Sequence, residues 1–393
     1  MMLILFSIFF KIIPPNKVVS SNKLIPRDFL VCGNHIGETH ENQGTDNYWY
    51  IICEESSTMK VENCKFINIV VNRFNWAHFM LFRNSDLNFI SCHFDKVTYK
   101  EKFMSLQDHS NTNYLHFYSN TIIDCNQLDE SSSPIIYSEY KINDIRHNIL
   151  NLNEKLLQTR AFGILAHRGC KLINNTVKNA NRDDGSCIFY CEDQGQSTSP
   201  IEITDCVFTN CKGSNIGSIM NINNVNDIIT IKNLTVQHTS NSYVYSEGWI
   251  NKKYWGKGYL FHFQCSCNPA KANFIGCSFL NLESNAQSGG GIGLLLTNDN
   301  DHELYFEDTK FEHIKFTHDT YCGGAISFSS EVDQNQKTKV TINNCLFNDV
   351  TSKNGGGAIY FNAPTKELTV ENTKFINTYS NDDQSQKGGA IYV

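Results

Sequence analysis

A short glycine-rich phrase recurs along the chain and constrains its fold more than any other feature. NGGGAIYF occupies residues 354–361, GGAISF residues 323–328 and GGAIYV residues 388–393, and GGGIGLLL at 289–296 is a diverged copy. Each copy follows a second phrase of constant shape, such as VTINNCLFNDV at residues 340–350. Repetition of this kind is typical of architectures in which each repeat packs only on its neighbours. The sequence therefore predicts a solenoid.

The second phrase sets the period of the repeat. When its copies are aligned on their central apolar residue, most neighbouring members lie 27 or 28 residues apart and the remaining intervals are longer. Stacked coils of one size with insertions in their loops would produce this pattern. One member, Ile149, is ambiguous because its copy also fits one residue later. The eleven members are Phe66, Phe94, Ile122, Ile149, Val177, Phe208, Val236, Phe279, Phe311, Phe347 and Phe375.

The apolar positions within each copy predict short strands joined by a turn. Apolar residues lie seven and five places before the central residue and another buriable residue lies two places before it, so the inward side changes parity between them. Side chains alternate along a strand, and the change therefore requires a turn. In eight copies the residue at this turn is of a type that tolerates positive φ, namely Asn63, Asn174, Asp205, Asn233, Gly276, Asp308, Asn344 and Asn372. With the GGAI phrase as third strand, we expect an all-β, parallel β-helix of about eleven coils of roughly 28 residues.

A family resemblance is carried by the same phrases. GGAI alternates with a Phe-x-Asn phrase, as at residues 66–68, 208–210, 279–281 and 375–377. This pattern resembles the repeats of polymorphic membrane proteins (Pmp) and of Pmp-like surface proteins of eukaryotic microbes, which belong to the right-handed, pectate-lyase-like β-helix group. The resemblance implies a right-handed coil, a secreted or cell-surface location and an adhesin-like function.

The chain divides into three parts in this interpretation. Residues 1–20 begin with MMLILFSIFF, which is too short to span a bilayer and which we interpret as a signal peptide. The alternatives are an error of gene prediction or an apolar helix that caps the solenoid. We expect residues 21–58 to form an N-terminal cap and residues 59–393 to form the β-helix. Because the sequence stops on a strand, we also expect further coils or self-association at that end, and no transmembrane helix elsewhere.

Cysteine and phenylalanine columns are expected to line the interior. Cys64, Cys92, Cys206, Cys277 and Cys345 share the position two residues before the central one. Residues stacked in adjacent coils lie about 4.8 Å apart, so a disulfide between Cys64 and Cys92 is geometrically possible. The interpretation that we prefer is a ladder of free thiols, because free cysteine is among the most buried residue types. The phenylalanine column comprises Phe66, Phe94, Phe208, Phe279, Phe311, Phe347 and Phe375.

The longest interval, between Val236 and Phe279, carries the candidate binding residues. Exposed aromatic rings on a rigid scaffold stack on sugars or anchor protein contacts, although the same segment could fold over the solenoid and bury them. Asn174 and Asn233 each begin an Asn-x-Thr sequence and are N-glycosylation candidates in a secreted chain, while their turn position explains them equally. The candidate binding residues are Tyr243, Tyr245, Trp249, Tyr254, Trp255 and Tyr259.

Three classes of function remain for such a chain. A non-enzymatic structural or adhesin-like rod that meets a protein or glycan on a cell surface is the leading expectation. A carbohydrate-binding protein is the alternative, and a polysaccharide lyase or glycoside hydrolase has less support because the acidic pairs lie in turns between coils. A net charge of −7 without a basic stripe disfavours nucleic acid. No metal or cofactor is expected, since Cys187 with Cys191, and Cys265 with Cys267 beside His262, lack a second Cys-x-x-Cys partner at zinc spacing.

Overall fold

The computed structural model shows a stack of β-coils around one continuous interior. Three long sheets, A, B and C, form its sides, and the recorded strand pairings are parallel. The chain runs from sheet B to sheet C to sheet A and then enters sheet B of the next coil. Among the residues that the structure describes there is no helix. The predicted all-β parallel solenoid is confirmed.

The described part of the chain covers the strands and their tight corners. It comprises residues 30–41, 44–45, 49–54, 57–71, 78–100, 102–107, 113–127, 134–140, 142–152, 160–165, 170–181, 188–192, 200–213, 219–223, 228–241, 261–265, 271–284, 291–296, 302–317, 323–330, 338–353, 355–362, 366–381 and 389–393.

Within the described ranges, sheet A has 13 strands and sheet B has 12. Sheet A contains Leu30–Val31, Trp49–Cys53, His78–Arg83, Met104–Gln107, Pro134–Ser138, Arg160–Leu165, Phe189–Glu192, Met220–Asn223, Phe261–Cys265, Ile292–Leu296, Ile326–Ser330, Ile359–Asn362 and Ile391–Tyr392. Sheet B contains Asn34–Ile36, Thr58–Glu62, Asp86–Ile90, Tyr114–Tyr118, Ile142–Arg146, Cys170–Ile173, Ile201–Thr204, Ile228–Lys232, Lys271–Ile275, His302–Glu307, Thr338–Asn343 and Lys366–Glu371.

The described residues form 14 strands in sheet C and 4 strands in a small fourth sheet, which lies in the first coils. Sheet C contains Thr39–Glu41, Lys65–Ile67, His93–Asp95, Thr121–Ile123, Ile149–Asn151, Thr176–Lys178, Val207–Thr209, Lys212–Gly213, Thr235–Asn241, Ser278–Ser284, Lys310–Phe316, Leu346–Ser352, Lys374–Ile376 and Tyr379–Ser380. The small sheet contains Gly44–Thr45, Val70–Val71, Thr98–Tyr99 and Asn126–Gln127.

Most coils have two corners built on left-handed residues, one between sheets B and C and one after the central residue of sheet C. All eight residues predicted at the corner between sheets B and C have positive φ, for example Asn63 at 55°. A second corner lies two residues after the central residue, and the sequence patterns used above did not predict its conformation. Each corner changes the parity of the inward side, so the strands on both sides of it can face the same interior. The left-handed residues of the second corner are Asn68, Lys96, Asp124, Asn179, Asn210, His238, Asn281, His313, Asp349 and Asn377.

The aligned central residues pair directly from coil to coil. Phe66 pairs with Phe94 near one end of this column, and Phe347 pairs with Phe375 near the other. Their rings stack, with centroids 5.1 Å and 4.9 Å apart, respectively. In the coils between them, aliphatic side chains occupy much of the same column. The interior is therefore one apolar core rather than a set of separate cores.

The assignment of Ile149 to this column is wrong. Leu150 pairs with both Ile122 and Val177 and is fully buried, whereas Ile149 is 49% exposed. The reason is that the buried Asn148 takes the position two residues before the column, and alternation then directs Leu150 inward.

One further coil precedes the eleven that the alignment found. His40 pairs with Phe66 and stacks on its ring with centroids 5.1 Å apart and an interplanar angle of 5°. The strands of residues 30–53 therefore belong to the same sheets as the later coils, with Gly44–Thr45 in the small fourth sheet and the others in sheets A, B and C.

A ladder of buried amides crosses three coils at the position that cysteine occupies elsewhere. Asn148 Oδ1 accepts hydrogen bonds from the backbone nitrogen of Asn120 (2.8 Å) and from its Nδ2 (3.1 Å). Asn148 Nδ2 in turn donates to the Phe117 carbonyl (2.8 Å) and to Asn175 Oδ1 (2.9 Å). Each amide thus satisfies backbone groups of its neighbours, as burial of polar groups requires.

The cysteines at the same position are buried free thiols. Burial raises the pKa of Cys206 and that of Cys277 to about 11, so these thiols are protonated and weakly reactive at neutral pH. The Cys92 thiol donates a hydrogen bond to the Val61 carbonyl oxygen, with a distance of 3.4 Å from Sγ to that oxygen. A disulfide that the sequence analysis did not single out joins Cys32 to Cys53 in adjacent coils, with their Cα atoms 4.6 Å apart.

Glycines form the corner that leads into sheet A because neighbouring coils approach closely there. The Gly291, Gly324 and Gly357 nitrogens donate in turn to the carbonyls of Gly324, Gly357 and Gly389. A Cβ placed on Gly324 would lie 2.5 Å from the Gly357 carbonyl oxygen and 2.8 Å from that of Thr351. The repeated glycine phrase therefore reflects contact between backbones, not left-handed dihedral angles at Gly324 and Gly357.

We expect Gly324→Ala to destabilise the stack by about 1–3 kcal/mol, because the added methyl group overlaps backbone atoms of the next coil. Gly389→Ala is the matched control, since a Cβ on Gly389 meets nothing within 4 Å. Urea denaturation followed by circular dichroism measures both. Equal free energies of unfolding for the two variants would contradict the packing argument.

Asn148→Leu is expected to lower the free energy of unfolding by roughly 2–4 kcal/mol, because buried groups of Asn120 and Phe117 lose their hydrogen-bond partners. Leu234 is buried at the equivalent position of another coil, so a leucine side chain fits there. The size of leucine is therefore not the reason for the expected loss of stability. Thermal denaturation measures the effect. The control is Thr121→Ala, because Thr121 faces outward, and we expect it to change the free energy of unfolding by less than about 0.5 kcal/mol. An Asn148→Leu protein as stable as the parent would argue against the ladder.

Candidate functional site

Two strands of sheet B place five polar or aromatic side chains together on the outer face. In Tyr114–Tyr118 the buried residues are Leu115 and Phe117, so alternation directs the other three side chains outward. The next coil contributes Ile142–Arg146, in which His116 pairs with Asp144 and Tyr118 with Arg146. We call this group the sheet B cluster. It consists of Tyr114, His116, Tyr118, Asp144 and Arg146.

Asp144 is the centre of the cluster. Its side chain lies only 11% exposed on the outer face, held by groups from two coils. Arg146 donates through Nη2 to Asp144 Oδ2 (2.8 Å) and through Nε to Asp144 Oδ1. The Tyr118 hydroxyl donates to Asp144 Oδ2 at 2.7 Å. A bidentate guanidinium and a phenol together fix this carboxylate in one orientation.

These contacts determine the proton positions on His116. Its Nδ1 lies 2.7 Å from the Tyr118 hydroxyl oxygen. Because the single hydroxyl hydrogen of Tyr118 is directed at Asp144, Nδ1 must carry the hydrogen and donate to the phenol oxygen. In the neutral ring Nε2 is then an acceptor. The relay from Asp144 through Tyr118 to His116 thus leaves a hydrogen-bond acceptor on the imidazole for a ligand.

Three half-buried aromatic rings, from alternate residues of one strand, form a strip along that strand. The centroids of Tyr114 and His116 are 4.7 Å apart, and those of His116 and Tyr118 are 5.3 Å apart. The Arg146 guanidinium carbon lies 5.8 Å from the Tyr118 ring centroid. The strip therefore combines apolar ring surface with polar edges, the composition of many ligand sites.

The pKa values follow from the burial and from the hydrogen bonds. Burial and then the hydrogen bond to Asp144 raise the pKa of Tyr118 to about 12, so the phenol stays protonated and donating. Burial of the Asp144 carboxyl raises its pKa, but the hydrogen bonds from Arg146 and Tyr118 outweigh this effect and the pKa lies below its usual value. Asp144 is therefore an ionised acceptor at neutral pH.

The cluster is suited to binding more than to hydrolysis. A glycosidase needs one carboxyl group that donates a proton and a second that activates water or attacks. Asp144 is held ionised by Arg146, so it does not act as the acid. Among the described residues no group of three or more His, Cys, Asp or Glu side chains is arranged to hold a metal ion.

The residues that the sequence singled out have separate locations. The candidate aromatic residues Tyr243, Tyr245, Trp249, Tyr254, Trp255 and Tyr259 lie outside the described residues. Asn174 and Asn233 lie at the exposed corner between sheets B and C, where the Asn174 amide contacts His147 Nδ1 (2.9 Å) and Asn233 Nδ2 donates to Asp205 Oδ1 (2.9 Å). The Cys and Phe columns point into the core, and all their members are buried except Phe375, which stacks on Phe347 and is half-buried.

The sequence carries a signal for the sheet B cluster that the repeated phrases alone do not reveal. Tyr114, His116 and Tyr118 alternate with apolar residues, which is the pattern of a strand with an aromatic outer face. The period of 28 residues then places Asp144 beside His116 and Arg146 beside Tyr118. Combining the alternation with the period would have identified the contact.

Comparisons with known proteins do not assign the chain to a family. No protein-family model, no curated protein and no solved structure matches it. Within the described ranges, no helix is long and apolar enough to cross a membrane.

We expect the Tyr118 phenol to titrate near pH 12 in the folded protein, against an ordinary value of 10. Its contribution to stability is complete below pH 10 and is lost as the pH rises towards 12, because only the unfolded chain ionises in that interval. NMR of tyrosine labelled at Cζ measures the titration, and Tyr118→Phe assigns the signal. In Asp144→Asn the midpoint should move towards 10. A midpoint near 10 in the parent would contradict the hydrogen-bond arrangement.

Proposed function

We propose that this chain is a non-enzymatic, adhesin-like β-helix rod, secreted or at a cell surface, that binds a protein or glycan partner through its sides. The observation that carries the proposal is the continuous stack: sheet A alone joins 13 strands between Leu30 and Tyr392. A rod whose coils are joined by backbone hydrogen bonds along three sheets holds side-chain groups at fixed spacing. We also propose that the coils are right-handed, as in the Pmp-like group that the repeats resemble.

Two observations support an extracellular location. The Cys32–Cys53 disulfide is of a kind that persists in oxidising compartments. The sequons at Asn174 and Asn233 lie at an exposed corner, where a glycosyltransferase can reach them. The free thiols elsewhere agree with this proposal, because their burial in the core protects them from oxidation.

A carbohydrate-binding function is the second candidate, and the sheet B cluster favours it. Half-buried rings beside fixed polar groups suit a sugar, which has both apolar faces and hydroxyl groups. The insertion with Trp249 and Trp255 stays a candidate for the same role. Lyase or glycosidase activity has less support, because Arg146 and Tyr118 hold the Asp144 carboxylate as an ion.

The proposal predicts binding to cell surfaces without turnover of polysaccharide. Fluorescently labelled chain is applied to a panel of fixed eukaryotic cells, before and after protease or glycosidase treatment, and is incubated in parallel with polygalacturonate and other polysaccharides. We expect saturable binding that one of the two treatments abolishes, with no release of reducing or unsaturated sugars.

Variants separate the classes of function. Loss of binding in Trp249→Ala with Trp255→Ala would locate it in the insertion. Turnover that disappears in Asp144→Asn would show that the chain is an enzyme and would contradict the proposal. Absence of binding to every cell type would contradict it as well.

A further inference from the structure

The charges around the sheet B cluster are paired on the outer face. Arg146 is bonded to Asp144, Lys60 lies beside Glu62, and the Lys171 ammonium lies 3.8 Å from the Glu202 carboxylate. These three pairs lie in the strands Thr58–Glu62 and Ile142–Arg146 and between the strands Cys170–Ile173 and Ile201–Thr204. In the described sheet B strands between residues 58 and 204, every Lys and Arg therefore has an acidic partner, so these strands offer no unpaired Lys or Arg to an anionic ligand.

The cluster nevertheless retains hydrogen-bonding groups of both kinds. His116 Nε2 is an acceptor when Nδ1 donates to Tyr118. Arg146 uses Nε and Nη2 on Asp144, and its remaining N–H groups can donate. His116 is the central ring of the aromatic strip, tilted by 54° and 60° to Tyr114 and Tyr118, and Arg146 lies over the Tyr118 ring. A ligand that fits has an apolar face and uncharged hydroxyl groups along its rim.

We infer that the sheet B cluster is a binding subsite for a neutral saccharide, which lies with its C–H face on Tyr114 and Tyr118 and bonds to His116 and Arg146 through hydroxyl groups. This inference rests on the proposed function and specifies the ligand that the sheet B face of the β-helix binds. An acidic sugar fits less well, because drawing Arg146 to a ligand would leave the Asp144 carboxylate buried without its partner.

Oligosaccharides of stated charge test this inference. Arrays of neutral gluco-, manno- and galacto-oligosaccharides are compared with arrays of uronate-containing and sulfated ones, and hits are measured by calorimetry at two salt concentrations. We expect a neutral ligand whose Kd changes little with salt, since Debye screening weakens charge–charge attraction only. Preference for acidic oligosaccharides with binding lost at high salt would overturn the inference.

Variants of the rings locate the ligand. Tyr114→Ala and Tyr118→Ala should each raise the Kd about tenfold or more, as expected when a central aromatic contact is removed. Tyr118→Phe retains the aromatic ring and controls for a loss of binding that is caused by misfolding of Tyr118→Ala. It should weaken binding less than Tyr118→Ala does. Tyr305→Ala is the matched control, because Tyr305 lies in the same outward column as His116 several coils away and should leave the Kd unchanged.

The outcomes separate the inference from the proposed function. Cell binding that persists in all the ring variants but is lost in Trp249→Ala with Trp255→Ala would reject the subsite and keep the adhesin-like rod. Neutral-sugar binding that is equal in the parent, Tyr114→Ala and Tyr118→Ala would also reject the subsite. Failure of the parent to bind any cell would reject the proposed function itself.

Discussion

The structure depends on parallel pairing between coils at a fixed register. The strands of each coil pair with those of the coils before and after it, so the insertion or deletion of one residue in a strand would turn its inward side chains outward. Left-handed corner residues such as Asn63 and Asn68 enforce the register, because they reset which side faces the core. The apolar column, the buried amides and the outer clusters all inherit their positions from these corners.

Much of this could be predicted because the controlling residues are local. The parity change before the central residue required a turn, and Asn, Asp or Gly at that site indicated its conformation, which the structure shows in all eight copies. The second corner carries a similar signal, since most of its residues are Asn or Asp, and only Lys96 is of a type that rarely adopts positive φ. Leu150 was misplaced by one residue because Ile149 is equally apolar, and only its pairing partners distinguish the two.

The outer face was harder to predict than the core because it has no common residue type. His116 and Asp144 are neighbours only through the period, and their roles depend on the proton that Tyr118 donates, which no spacing reveals. The disulfide was missed for a different reason: Cys32 and Cys53 are 21 residues apart, a shorter interval than any in the repeat. Sequence periodicity describes the average coil, whereas this bridge belongs to an unusually short one.

The buried amides have a consequence for the identity of each coil. Asn120, Asn148 and Asn175 satisfy one another only when their three coils are adjacent. Most other coils present thiols or apolar groups at that position and are chemically interchangeable, so a foreign coil from a second chain could insert among them. Against Asn148, the coil that contains Leu234 would leave an amide without its acceptor. The amides therefore favour the correct order of neighbouring coils and disfavour domain swapping in the middle of the rod.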